Sequence, residues 1–289
     1  MRKFAVIDIG SNSVRLMFVA DGKVLYKALN TTRLGEGLAE KPFLKQEAIE
    51  RSAKAVCDFY TKAKAEGAEK VFAFATAAVR SAENRQVFLE EVEKDCGLRI
   101  EVISGEEEAE IGILGALGNA DGGVIDIGGA STEIVVKKSG ELTYKKSVNI
   151  GVVRLKDRCG RDRKTLFEVA ESAAKEYGEV PTVDMYAIGG TATTLAALQL
   201  GLQTYSSEKI TGAMITSQQM QALTDRLLSM TVEEIAALPC MPKGRADVLT
   251  GGAVLFTVLM KKLNLSHIIV SDRDNLEGYA IKKGICIKL

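Results

Sequence analysis

The sequence predicts an α/β protein of two related domains, each opening on a strand–turn–strand unit within a mixed sheet, with the two turns facing across a cleft. Three observations carry this. VIDIGSNSVRLMF at 6–18 returns as VIDIGGASTEIVV at 124–136, so Asp8 and Asp126 take equivalent places. Around both copies β-prone runs alternate with helical periodicity, the pattern of α/β folds. A turn-rich stretch, GNADGG at 118–123, stands immediately before the second copy and marks a boundary. The spacing lies far beyond solenoid repeats, so it indicates two domains rather than an array.

In order, the first copy reads as strands over 3–9, 14–20 and 23–31. The last two are joined by Asp21-Gly22, a strong hairpin signal between β-prone runs. A helix is expected over 46–65, with Ala48, Ile49, Ala53 and Val56 at helical spacing and Gly67 just beyond its end. A strand (71–75), a helix (83–94), a strand (99–103) and a helix (106–117) complete the first domain, 1–119. The second, 120–274, repeats the three-strand opening and then turns mostly helical. There the strand in VDMYAIGG runs into Gly189-Gly190-Thr191 and a helix to about residue 200. Helices over 217–230 and 245–263 and a short strand at 267–270 follow, and 275–289 is expected to return and pack on the first domain.

A chain of 289 residues is comfortable for two modest domains. Formal net charge is zero, so no global field favours nucleic acid or an anionic membrane, and an anionic ligand would need a locally built site. Asp8 interrupts the short apolar run after Lys3, so no secretory signal is expected, and no apolar stretch approaches the length of a membrane span. Five scattered cysteines without a C-x-x-C pair read as reduced thiols of a cytoplasmic protein, without metal or disulfide roles.

Gly10-Ser11-Asn12-Ser13 and Gly128-Gly129-Ala130-Ser131-Thr132 are made of residues that let backbone N–H groups approach an oxyanion and add hydroxyl donors. Phosphate is the usual beneficiary. The Asp before each turn would repel a bare phosphate, which calls for a divalent cation between them; magnesium is typically held by one or two carboxylates plus waters and phosphate oxygens. The alternative, two tight β-turns with solvent-facing Asp, loses ground because the copies match. Gly189-Gly190-Thr191 leads a strand into a helix N-terminus, a second kind of anion site. Glu106-Glu107-Glu108 suits a helix macrodipole, and Arg80, read as the end of a strand, would serve by itself as a surface ion-pair partner. The lone histidine, His267, lies in an apolar strand and reads as structural, so no Ser-His-Asp or Cys-His hydrolase can be assembled.

IDIGSNSVRLMF, ATAAVR (75–80), VISGEEEAEIG (102–112), VIDIGGASTEIV, NIGVVRL (149–155), AIGGTATTLAAL (187–198) and GRADVLTGGAVL (244–255) occur in that order. Together they closely resemble the exopolyphosphatase/guanosine pentaphosphate phosphatase (Ppx/GppA) family, of the superfamily of actin, sugar kinases and heat-shock ATPases, over nearly the whole chain. The resemblance implies two ribonuclease-H-like domains, each with a mixed sheet, in the short form without a C-terminal extension, and phosphoanhydride hydrolysis in the cleft. It implies that Glu108 is the catalytic base, with Glu107 the alternative one residue away, and that Arg80 contacts the phosphate chain. Ser11, Asn12, Ser13, Gly128, Gly129, Ser131, Thr132, Gly189, Gly190 and Thr191 become phosphate-binding candidates. Asp8, Asp126 and Glu133 are assigned to Mg²⁺ or another divalent cation, and a homodimer is the family tendency.

Two segments depart from the family pattern. SDRDNLEG carries Asp274, Asn275 and Leu276 where Gly, Leu and Arg are usual, and Thr211 stands before Gly212 where many members have His. These departures question any ligand contact from those segments. The basic stretch RLKDRCGRDRK (154–164) reads either as part of a polyanion track or as an ordinary solvated face. A sugar-kinase-like phosphotransferase and a non-catalytic phosphate sensor remain as alternatives. The motifs grip phosphates rather than a base, so polyphosphate and guanosine pentaphosphate are both compatible with them.

Overall fold

The computed structural model describes residues 2–287. The first sheet contains β1 (Lys3–Ile9), β2 (Ser13–Ala20) and β3 (Lys23–Thr31). Helix α1 (Gln46–Ala65) leads to β4 (Lys70–Ala75), and α2 (Ala77–Ser81) and α3 (Arg85–Cys96) lead to β5 (Glu101–Val102). Helix α4 (Gly105–Leu117) then crosses to a second sheet that begins with β6 (Gly122–Ile127), β7 (Thr132–Lys138) and β8 (Glu141–Val148). The chain continues through α5 (Val152–Cys159), α6 (Arg163–Lys175), β9 (Met185–Ile188), α7 (Gly189–Gln199), α8 (Ser207–Ile210) and β10 (Met214–Thr216). It ends through α9 (Ser217–Ser229), α10 (Val232–Ala236), α11 (Ala246–Lys262), β11 (His267–Val270) and α12 (Asn275–Lys282). Among the described residues no helix is long and apolar enough to cross a membrane.

The strand orders are β3-β2-β1-β4-β5 and β10-β11-β9-β6-β7-β8. Both contain the same unit: an antiparallel three-strand meander whose first strand is parallel to the next one inward. Asp8 lies opposite Arg15 in the first sheet and Asp126 opposite Glu133 in the second. The sequence repeat is therefore a repeat of register, and Arg15 and Glu133 are counterparts of opposite charge.

Period-two alternation assigns the faces. Ala5, Ile7 and Ile9 of β1 join α1 and α3 in one core, while Val6 faces Leu276 and Tyr279 of α12 on the other side. Helix α4 lies between the sheets: Ile111 packs on the first, while Ala109 and Ile113 pack on Val124 and Val135 of the second. Residues two apart on a helix point to nearly opposite sides, so one helix serves both. Helix α12 crosses α4 where neither has a side chain. A Cβ on Gly115 would meet the Asp274 carbonyl oxygen at 1.9 Å, and one on Gly278 would meet the Ile111 carbonyl oxygen at 1.7 Å. The C-terminal segment is thereby held against the first sheet, with the Tyr279 ring stacked on Phe74 at 4.3 Å.

Several sequence expectations need correction. Arg80 does not end a strand: β4 stops at Ala75 and Arg80 lies in the short helix α2, where its N–H donates to the Thr76 carbonyl. The helix expected from 83 begins at Arg85, because Glu83 N–H bonds Pro42 O and the Asn84 amide pairs both ways with the Leu44 backbone. The strand expected over 99–103 narrows to Glu101–Val102, and the GNADGG turn already contains the start of β6. Helices α2, α8 and α10 and strand β10 are too short to give a periodic signal.

Candidate active site

The two Asp-Ile-Gly turns are built alike. Gly10 N–H donates to Ser13 O at 3.0 Å, and Gly128 N–H to Ser131 O at 3.0 Å. The turns also meet: a Cβ on Gly129 would lie 2.7 Å from the Ser11 Cβ, so only glycine allows the close approach. Around this contact runs a cavity of about 80 Å³ lined by Asp8, Ser11, Asn12, Ser13, Glu108 and Asp126, among others. Gly128, Gly129, Ser131, Gly189, Gly190 and Thr191 line it too. That is room for several water-sized groups, each needing about 10–15 Å³ by the same measure, and it suits a phosphate more than a nucleoside.

Of the three consecutive acids at the start of α4, only Glu108 enters the cleft. Glu107 closes a capping box with Ser104 and reaches Lys282 on the surface, while the Glu106 side chain is exposed. Glu108 is buried, and its Oε2 accepts from Arg80 Nη1 at 2.9 Å. Arg80 also bonds Ile103 O, and so stands behind Glu108 rather than in the cavity lining. Burial pushes the Glu108 carboxyl up against the opposing pull of Arg80.

Thr132 and Glu133 are turned away from the lining. Thr132 Oγ1 donates to Ile150 O at 2.6 Å, a backbone tie. Glu133 lies behind Asp126 and accepts from Ser147 Oγ at 2.6 Å, with its Oε2 buried and unpartnered. Burial and then the nearby charges of Glu108 and Asp126 push Glu133 well above the carboxylate range. Thr191 lines the cavity, but its hydroxyl bonds Ile127 O at 2.9 Å.

Four residues that the sequence does not offer as site candidates, two of them in the divergent SDRDNLEG segment, complete the site. Arg15 Nε donates to Asp8 Oδ2 at 3.0 Å, and its Nη1 bonds Asp274. Asp274 also caps α12 by accepting from Leu276 N–H, and the next residue, Asn275, donates from Nδ2 to Asp126 Oδ2 at 3.1 Å. The SDRDNLEG segment, which departs from the family pattern, thus bonds Asp126 directly and reaches Asp8 through Arg15, linking the two turns that form the jaws of the cleft. Arg245 is buried with no ion pair among the described residues; it bonds Gly190 O and Thr194 Oγ1. Burial and then Arg15 push its guanidinium down to about 10. Thr211 accepts from Asp272 N–H and supports that loop. The basic stretch at 154–164 is largely spent on structure: Lys156 pairs Asp247, Arg161 bonds two carbonyls and Arg163 pairs Asp225. His267 lies on β11 and does not line the cavity.

The cleft is rich in uncompensated carboxylate. Burial, then Glu108 and Asp274, push Asp126 up to about 8, and burial raises Asp8 despite Arg15. Burial works in the same direction on Asp274, but Arg15 and Lys27 overcome it and hold that carboxyl low. A carboxyl whose folded pKa exceeds its unfolded value of about 4 contributes stability fully below that value and loses it as pH rises through the folded pKa. The protein is therefore expected to have a falling Tm between about pH 5 and about pH 8. A flat profile contradicts this charge balance, and thermal melts across that range measure it.

The five-strand order of the first sheet recurs in the second, which adds β10 at its edge; with a helix packed between the sheets and paired Asp-Ile-Gly turns at their junction, they define a two-sheet α/β fold with a phosphate-sized cleft. The chain belongs to the Ppx/GppA phosphatase family, whose model matches residues 17–284. It is 33% identical to exopolyphosphatase 2 of Mycobacterium tuberculosis, over 97% of this chain and 98% of that one. It is 30% identical to the guanosine-5'-triphosphate,3'-diphosphate pyrophosphatase of Photobacterium profundum, over 99% of this chain but 59% of that longer protein. Among solved structures, the Aquifex aeolicus Ppx/GppA family member superposes with a TM-score of 0.80 at 30% identity, covering 98% of each chain. An exopolyphosphatase from Cytophaga hutchinsonii superposes with a TM-score of 0.88 at 26% identity, covering 99% of each.

Proposed function

We propose that this chain is a phosphoanhydride hydrolase of the exopolyphosphatase type, releasing terminal phosphate from inorganic polyphosphate. The observation that carries the reading is Glu108: the one acid of its run that faces the cavity, buried, raised in basicity and held in place by Arg80. End-to-end likeness to exopolyphosphatase 2, against partial coverage of the longer guanosine nucleotide pyrophosphatase, favours polyphosphate over guanosine pentaphosphate.

In this reading the turn amides and the Ser11, Asn12, Ser13 and Ser131 side chains grip the terminal phosphate. The Gly189-Gly190-Thr191 helix start and Arg245 meet oxygens further along, so that a guanidinium without a carboxylate partner finds an anion. Glu108 orients water and takes its proton, while the surrounding donors stabilise charge on the transferred phosphoryl group. Arg80 acts through Glu108 by fixing its carboxylate, in place of the direct phosphate contact that the family resemblance implies.

The donor set fits a magnesium ion. Asp8 Oδ1, Asn12 Oδ1 and Asn275 Oδ1 are buried acceptors with no partner. Asp8, Glu108 and Asp126 line one cavity, but among the described residues no three acidic, His or Cys side chains are placed to form a metal-ligand set by themselves. That combination matches a cation held by one or two carboxylates and completed by phosphate oxygens and water. Asp8 and Asp126 would hold it, with Glu133 behind Asp126 in the hydrogen-bonded shell. When bound, Mg²⁺ or another divalent cation neutralises phosphate charge beside these carboxylates.

A substrate panel with magnesium tests the assignment. Short and long polyphosphate are expected to be hydrolysed faster than guanosine pentaphosphate; preference for the nucleotide would replace the first reading with the second. Arg245→Met is expected to weaken inhibition by inorganic phosphate about tenfold or more, the range for a lost hydrogen bond to a charged group. An unchanged inhibition constant would remove Arg245 from the anion path.

A further inference from the structure

Outside the cleft, two helices packed on the first sheet carry a pair of thiols for which neither fold nor catalysis gives a use. Cys57, in the middle of α1, and Cys96, the last residue of α3, lie with their sulfurs 2.6 Å apart, the Cys57 thiol donating to Cys96. Cys96 in turn donates to Val92 O. Both residues are half-buried, packed against the core yet open to a small solute. The two helices are packed side by side, so their backbones hold the sulfurs together without any loop having to close. The other three cysteines show no comparable contact with one another among the described residues, and Cys286 is exposed.

From this geometry we infer that Cys57 and Cys96 are a reversible oxidation site, which a peroxide converts to a disulfide tying α1 to α3. The chemistry balances with one peroxide. Cys96 sulfur attacks a peroxide oxygen, the O–O bond breaks, and the departing oxygen leaves as water with the Cys96 proton, giving a sulfenic acid. Cys57 sulfur then attacks the Cys96 sulfur, the S–O bond breaks, and the hydroxyl leaves as a second water with the Cys57 proton. Two thiols lose two electrons and the peroxide gains them. Burial, and then the neighbouring Cys96, push the Cys57 thiol up to about 12, which suits Cys57 to the second, proximity-driven step rather than the first. The link spans 39 positions of sequence and lies among the α1 and α3 packing residues, on the sheet face opposite α12.

The test uses the full-length protein, reduced, freed of reductant and treated with dilute hydrogen peroxide. Thiol titration under denaturing conditions is expected to fall from five to three, the number of cysteines in the chain less the pair. Non-reducing peptide mapping is expected to recover Cys57 and Cys96 in one cross-linked species that dithiothreitol separates. Cys57→Ser is expected to convert the same treatment into oxygen adducts on Cys96, with no cross-link. Loss of no thiols, linkage through other cysteines, or independent oxygen addition at Cys57 and Cys96 in the unmutated chain would each overturn the inference.

Discussion

Glu108→Gln is expected to lower turnover by about 10²- to 10⁴-fold, the range of a lost general base, while KM and inhibition by inorganic phosphate stay within a few-fold. The amide keeps the shape and still accepts from Arg80, so the cavity persists and only proton uptake is removed. Glu107→Gln is the matched control. That side chain closes the α4 capping box and pairs with Lys282 at the surface, so its loss should cost about 1 kcal/mol or less of stability and leave turnover intact. Equal kinetic effects from the two substitutions would mean that the acid run acts through the helix and not through one carboxylate. Steady-state kinetics of both variants decides this.

Gly278→Ala carries the second large expected effect. Its new methyl group would stand 1.7 Å from the Ile111 carbonyl oxygen, a backbone atom with no rotamer to change, so the helices must separate. Overpacking of this kind costs about 1–3 kcal/mol or more, a fall in Tm of about 2–4 °C per kcal/mol at this chain length. The separation also withdraws Asp274 from Arg15 and Asn275 from Asp126, so activity should fall beyond what the lost stability explains. Gly97→Ala is the contrast: a Cβ there meets nothing within 4 Å, though its φ of +72° is strained, so a stability loss of about 1–2 kcal/mol with normal kcat is expected. Normal kinetics in a folded Gly278→Ala protein would show that α12 does not position the jaws.

Much of the fold was legible because the chain says it twice. VIDIG followed by small residues fixed two strands and a turn in each sheet, and the Asp-Gly hairpin and the regular spacing in α1 set further elements to within a residue. Arg80 lies in an Ala-rich stretch whose composition favours a helix, but it follows directly on β4, and a five-residue helix leaves no period to separate it from the strand. The inner layer of the site was hidden for another reason. Arg15, Arg245, Asp274 and Asn275 come from β2, the start of α11 and the start of α12, and only packing brings them together. One signal was available: Arg15 and Glu133 occupy the same place in the two copies with opposite charge, which marks the point where the jaws stop being equivalent. The altered SDRDNLEG segment puts ligand contacts from it in question, and what the structure adds is a role within the protein: through Arg15 and Asn275 it ties the two aspartates together.

In the proposed reaction water, activated in the cleft, attacks the terminal phosphorus of a phosphoanhydride chain. Hydrolysis of polyphosphate in oxygen-18 water, with magnesium and no acceptor, followed by mass analysis of the released phosphate and the shortened chain, tests it most directly. One labelled oxygen is expected in each released phosphate and none in the remaining chain. Label in the shortened chain, or phosphate release only after a hydroxyl acceptor is added, would contradict it.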